Sequence, residues 1–246
     1  MQTNSRMGRV LPDVDAFDHP LASALRALMA RLAAGDLTAS AFHEATAATL
    51  GAARLSQVLG APMAAALASG TDQILLRRAE GARDYTLQVI HVAPGEVHPP
   101  HVHHNVISTQ MILQGALHVR EYARVRRLGS SQLALRLLTD GVYRAGATLQ
   151  SSEFSRNAHW FAADRAPTLM LNFNIRGFER ETFDPPATLG RRLVDPTGEA
   201  LADGSIVTGE LSVEAAYARF GGAKLTAFTP AVRPRDGAGP LLELPL

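Results

Sequence analysis

The chain has 246 residues, 46% of them hydrophobic, enough for a full core in one large domain or in a domain with appendages. Its 24 Lys and Arg residues nearly balance 23 Asp and Glu residues, which leaves no electrostatic footprint for nucleic acid or an anionic membrane and favours a small-molecule partner. With no cysteine, disulfides, thiolate metal ligands and a cysteine nucleophile are all excluded, so any metal must be held by His, Asp or Glu.

Met1 to Val10 is polar, with Arg6 and Arg9, and lacks the apolar stretch of a secretory signal. No run approaches the ~20 apolar residues of a membrane span, so a soluble, cytoplasmic protein is expected. From about residue 14 to 69 the chain is rich in Ala and Leu and reads as helices. Asp18, His19 and Pro20 open the first and Gly35 closes it, Thr38 caps a second that runs toward Gly60, and Pro62 starts a short third. Leu25, Leu28, Met29 and Leu32 recur at helical spacing and form an apolar stripe to pack on the rest of the domain.

From Thr71 the texture changes to short alternating runs bounded by Gly, Pro, Asp or Asn. Strands are predicted at 74–78, 85–91, 107–113, 116–125, 133–137, 154–162 and 169–175. Many short strands without intervening helices favour an antiparallel sandwich or barrel. After Arg180 the pattern dissolves into prolines and glycine-rich turns, with one short helix, Val213 to Phe220, capped by Ser212 and ended by Gly221 and Gly222. The stretch from Thr229 reads as an irregular strap or tail. The division expected is therefore a helical segment over 1–70, a barrel over 71–180 and an irregular extension over 181–246.

Chemistry concentrates in Gly95-Glu-Val-His-Pro-Pro-His101-Val-His103-His104, where four histidines fall within seven positions. Alternate residues on a strand share a face, so His101 and His103 can offer imidazoles to one ion. Imidazole suits Fe, Zn, Ni and Cu alike. The Gly- and Pro-rich turn ahead of the pair places it at a barrel rim, and His159, in an otherwise apolar strand, is the third candidate ligand. His98 and His104 read as supporting or exposed residues, and His19, His43, His91 and His118 as structural. Glu96, Glu121, Glu153 and Asp164 are carboxylates within sequence reach of a fourth position, without a spacing that requires one.

The residues Gly95, His101 and His103 resemble the opening of the first cupin motif. The glutamate ligand common in cupins would follow within a few residues, where this chain has Asn105, Val106, Ile107 and Ser108. That departure moves the resemblance to the three-His thiol dioxygenases. Gly115 lies twelve residues after His103, as in the cysteine and cysteamine dioxygenases, and the segment Met111 to Tyr122 is similar to the strand, turn and strand of the cysteamine dioxygenase and plant cysteine oxidase group. Asn157-x-His159-x-Phe161 resembles the third-ligand motif of that group.

The resemblance implies a mainly β, cupin-type antiparallel double-stranded β-helix (jelly-roll) barrel with an N-terminal helical segment. It also implies Fe(II) held by His101, His103 and His159, with Zn, Ni and Mn as other divalent candidates, and O₂-dependent oxidation of a small organic thiol to a sulfinate. Two alternatives stay open: a three-His oxygenase acting on a substrate such as a β-dicarbonyl, and a non-catalytic metal- or ligand-binding cupin. The Ser-His-Tyr arrangement of cysteine dioxygenases is absent, with Asn172 and Asn174 on the strand after His159 instead. Arg77 and Arg78, Arg120 and Tyr122 are the polar groups to consider for an anionic thiol. If the face of Leu117 and Val119 is the interior, Arg120 points to solvent. Phe161, Met111, Met170 and Phe173 are the candidates for an apolar pocket. The terminal regions have two open roles, a cover over the barrel mouth or the contact of a homodimer of the kind the cupin resemblance implies.

Overall fold

The computed structural model describes residues 10–11, 19–69, 73–79, 84–163, 165–179, 182–183, 190–222, 224–228 and 230. Asp18, Asp164 and the stretch from 231 onward lie outside the described residues, as do the side chains of Arg77 and Arg78. No helix among the described residues is long and apolar enough to cross a membrane.

Helix α1 (Pro20–Ala34) starts where its sequence says it should. His19 is extended and its Nδ1 accepts from the Leu21 N–H at 3.1 Å, while Gly35 ends the helix in the left-handed region at φ 87°. Thr38 caps α2 (Ala39–Ala52) by accepting from the Ala41 N–H. The second helix does not reach Gly60 unbroken. Arg54 turns to φ 43°, and two further helices follow, α3 (Leu55–Val58) and α4 (Gly60–Ser69). The break returns Leu55 and Leu59 to the core, where each buried Leu contributes roughly 1.5–3 kcal/mol. The stripe of α1 packs as its spacing requires. Leu25 and Leu28 are buried, Met29 and Leu32 partly so, in one cluster with Phe42 of α2 and Leu87, Val89, Leu171 and Phe173 of the sheet beneath.

Among the described residues twelve strands follow the order β1 (Val10–Leu11), β2 (Gln73–Ala79), β3 (Asp84–Val92), β4 (Val97–His104), β5 (Val106–Gln114), β6 (Ala116–Arg127), β7 (Gln132–Arg144), β8 (Thr148–Ser151), β9 (Ala158–Ala163), β10 (Thr168–Arg176), β11 (Gly190–Asp195) and β12 (Ile206–Leu211). Helix α5 (Val213–Phe220) closes the series. One sheet runs β1-β2-β3-β10-β5-β8, and its outer face carries the helices. The other runs β11-β12-β7-β6-β9-β4 and closes on itself, because β11 pairs with β4. Strands β3 to β10 thus wind between a β3-β10-β5-β8 layer and a β4-β9-β6-β7 layer, changing layer at every step except the β6-β7 hairpin, which is the double-stranded β-helix.

Three expectations need correction. Phe154 lies not in a strand but in a turn closed by Ser152 N–H donating to the Ser155 carbonyl, and its ring is exposed. β8 lies between predicted strands. The segment after Arg180 is not simply irregular, since β11 and β12 are full members of the barrel sheet, so the barrel does not stop at residue 180.

Side-chain alternation divides the interior. On β10 the residues Leu169, Leu171, Phe173 and Ile175 face the helices, and the even-numbered ones face the space between the sheets. One end of that space is plugged by Ile90, Val92, Ile112, Leu117, Val119, Phe161 and Met170. The ring closed by β11 and β12 has a separate core of Val102, Tyr122, Leu133, Leu135, Ala158, Val194 and Ile206. The inter-sheet space away from the plug is lined by polar residues.

Candidate metal centre

Strands β4 and β9 carry the centre. His101 and His159 are direct partners across the antiparallel pair, and the His103 N–H donates to the Asn157 carbonyl, so all three imidazoles leave the same inner face. A bulge between His98 and His101 absorbs Pro99 and Pro100, residues that a regular ladder would reject. Because the bulge inserts one residue, His98 also ends on the inner face, stacked on Phe161 with centroids 4.5 Å apart. Asn157 of the third-ligand motif has a positional role. Its carboxamide N–H₂ donates to the carbonyls of His103 at 2.8 Å and Ser152 at 3.2 Å, fastening the end of β4 to the turn before β9.

One nitrogen from each of His101, His103 and His159 lies within 4.8 Å of the others, and His103 Nε2 is 3.3 Å from His159 Nε2. Two nitrogens each roughly 2.0–2.1 Å from one ion would be separated by about that distance. His101 Nδ1 lies 2.8 Å from the Pro99 carbonyl, which only accepts, so Nδ1 carries the proton and Nε2 keeps its lone pair for the group. Burial is the main cause that lowers the pKa of all three. His103 falls to about 3, with the Arg191 guanidinium as second cause, and His101 and His159 fall well below the usual imidazole range, each pushed further by a neighbouring imidazole. At neutral pH the three rings are neutral, the form in which imidazole binds a metal. Packed with lone pairs converging, they suit a divalent cation.

The carboxylates are engaged elsewhere. Glu121 stands opposite His159 on β6, but its Oε2 accepts from Tyr143 at 3.0 Å and Arg156 at 2.5 Å. Glu153 accepts from the N–H groups of Asn105 and Phe183, both at 2.8 Å, with His104 Nδ1 and Arg124 near its other side. His104 is therefore fully buried in a polar cluster on the opposite face from the centre. Glu96 caps the turn at Ala93. His43 bonds Thr109 Oγ1 at 3.0 Å and ties α2 to the sheet, and His118 bonds Asp140.

In front of the histidines lies a cavity of about 250 Å³. The facing wall comes from the helix-backed sheet and is polar, with Thr86, Gln88, Gln110, Asn172 and Asn174, while Phe161, Ile90 and Val106 supply its apolar part. Ser108 donates to Asn172 Oδ1, whereas Gln110 Oε1 and Asn174 Oδ1 are buried without a partner among the described residues. Phe161 is thus the one of the four expected apolar residues that lines the cavity. Met111 and Phe173 face the helices, and Met170 belongs to the plug. The face of Leu117 and Val119 is the interior, yet Arg120 does not reach solvent. It is buried on the outer face, 3.1 Å from Asp140 and 5.3 Å over the Trp160 ring, and Tyr122 fills the core of the closed ring. The chain's own contribution that sequence reading missed is Arg191 of β11, which lines the cavity. Its strand reads Gly-Arg-Arg-Leu-Val-Asp, which does not alternate, so the sequence held no signal for it.

No family model matches this chain, and no curated protein does. Among solved structures it is similar to an uncharacterized conserved protein with a double-stranded β-helix domain from Klebsiella pneumoniae, at 15% identity over 48% of this chain and 75% of that one, TM-score 0.33. The cupin domain of Schizosaccharomyces pombe Cnp3 gives 15%, 42%, 61% and 0.31, and an oxalate oxidase 22%, 41%, 52% and 0.29. The chain spans about half the length of that oxalate oxidase. What defines the class is the strand order itself with its inward histidines: a double-stranded β-helix barrel of the cupin type, carrying a three-histidine group that could hold a metal ion.

Proposed function

We infer that the barrel is a mononuclear non-haem Fe(II) dioxygenase that oxidises a small organic thiol to a sulfinate. The observation that carries this reading is the ligand set: three neutral imidazoles converge on one point and, among the described residues, no carboxylate joins them. An ion held that way keeps its full positive charge, which favours binding a substrate as thiolate. Bound Fe(II) would supply open positions for thiolate and O₂ and the electrons that couple them. The overall change, R–SH + O₂ → R–SO₂H, adds both oxygen atoms to sulfur and needs no further reductant. Nor does it need an acid or base of the protein, in keeping with the engagement of Glu121 and Glu153 in other bonds.

His101, His103 and His159 would hold the ion. The Pro99 carbonyl fixes the His101 tautomer, and the stacked pair His98 and Phe161 walls the cavity beside the ion and limits the water that reaches it. The carboxamide wall favours a substrate with a polar stem over a β-dicarbonyl in an apolar pocket.

The test is anaerobic Fe(II) loading and metal analysis of the wild type, His101→Ala and His159→Ala, followed by oxygen uptake with cysteine, cysteamine and 3-mercaptopropionate. The expected result is one iron per chain, lost in both variants, with thiol and O₂ consumed one to one and sulfinate formed. Iron retained by His159→Ala would sink the three-histidine centre. Iron without thiol-dependent uptake would sink the thiol reading.

A further inference from the structure

The row of residues that carries two of the three imidazoles does not end with them. His101 on β4 is the direct partner of His159 on β9, His159 of Glu121 on β6, and Glu121 of Thr139 on β7, so four side chains in line leave one face of the sheet. The third of these is a carboxylate, itself a good ligand for a divalent cation. Direct partners on antiparallel strands have Cβ atoms roughly 4.5–5.5 Å apart. A glutamate extends two methylenes beyond its backbone, so Glu121 stands within reach of the space that His159 faces.

Its carboxylate is turned aside. Oε2 accepts from the Tyr143 hydroxyl at 3.0 Å and from Arg156 Nη1 at 2.5 Å, and the same Nη1 donates to Thr139 Oγ1 at 3.1 Å. Glu121, Tyr143 and Thr139 are buried, and the Arg156 side chain is nearly so. Arg156 acts on the end of the row remote from His101, and its backbone is bent to bring it there. Its φ is 48°, in the left-handed region that a residue with a Cβ rarely adopts, and one residue later Asn157 is already fastened to His103. A strained residue and a nearly buried ion pair each oppose stability, so stability does not account for this arrangement. Its result is a carboxylate fixed beside the third imidazole and directed off it.

We propose that Arg156, assisted by Tyr143, withholds Glu121 from the metal ion and so keeps the ligand set at three neutral imidazoles. Arg156 is a positioning residue, acting on the centre only through Glu121. Once released, the carboxylate would find its replacement partner in the ion, lower the charge at the centre and fill a position otherwise open to a ligand. The proposal rests on the three-histidine centre and not on the thiol reaction.

The test uses the full chain loaded with Co(II). Its visible absorption spectrum reads the ligand set, and azide, a simple anion, probes the open positions. Arg156→Met removes the donors but keeps the stem. It should alter the spectrum and weaken azide binding by about ten-fold, the scale on which contacts behind a ligand tune a metal site. Adding Glu121→Gln to Arg156→Met should restore both readings, and Arg156→Lys should retain them. Tyr143→Phe, which changes one hydroxyl, should move both part of the way, and Glu121→Gln alone should leave both as in the wild type. A change shared by Arg156→Met and the double variant would assign Arg156 to the fold alone and overturn the proposal. So would an altered spectrum in Glu121→Gln alone, or an unaltered one in both Arg156→Met and Tyr143→Phe. A wild type that takes up no Co(II) would overturn it together with the three-histidine centre. Because no thiol enters the titration, its result is independent of the thiol reading.

Discussion

His43 holds α2 against the helix-backed sheet through Thr109, and burial pushes its pKa down from 6.5 to about 4. The folded chain therefore keeps this ring neutral where the unfolded chain already binds a proton. Its contribution is fully present above pH 6.5 and is lost as the pH falls toward 4. The loss integrates to about 3 kcal/mol, since every tenfold difference in proton affinity between the folded and unfolded chain is worth about 1.4 kcal/mol. Urea unfolding of His43→Leu across that range should show an acid sensitivity smaller by about that amount, and an unchanged pH profile would refute the assignment. At this scale much of the molecule was legible. His101, His103 and His159 stood out because metal-binding side chains are chemically unlike their surroundings, and His19, Thr38 and Ser212 because a cap acts on its own first turn. Arg120 was misjudged because charge does not report what another part of the chain lays over a residue, and Phe154 because hydrophobicity alone does not distinguish a strand from an exposed turn.

Among the elements, α5 is the one whose role is hardest to see from its own residues. It lies on β4, behind the histidines, and its Phe220 sits 5.0 Å from Trp160 and 5.2 Å from Phe228 in a small cluster of its own. Trp160 neighbours His159 in sequence but points the opposite way, so the cluster presses on the back of the strand that presents the third imidazole. Phe220→Ala should cost about 3–5 kcal/mol, a melting temperature lower by roughly 6–20 °C. It should also weaken metal binding although no ligand is touched. Unchanged metal affinity in a destabilised Phe220→Ala would show that the back of β9 needs no such support. The strands most visible in the sequence, β3, β5 and β10, each combine alternation with a long apolar run. β11 begins Gly-Arg-Arg and β12 contains a glycine, so neither announces itself, and both exist because distant strands offer unpaired edges.

For the whole molecule, the N-terminal helices proved to be the backing of one sheet, whereas the C-terminal region contributes β11, β12 and the cavity's Arg191. The ring joins β4 to β11 and β7 to β12, so the edge beside the histidines is paired by residues far along the chain. Such non-local pairing carries a loop-closure cost before any contact rewards it, and barrels of this kind fold on the ms–s scale. The ligands are made early in synthesis, and the strand that shields them is made late. Until β11 and β12 arrive, β4 is an open template for another chain. The single tryptophan, Trp160, reports the event, because its burial depends on α5, which follows β12. On refolding, Trp160 fluorescence and Co(II) uptake should recover in one shared slow phase. Uptake well ahead of fluorescence would mean that the nascent barrel can capture metal while its flank is still unpaired.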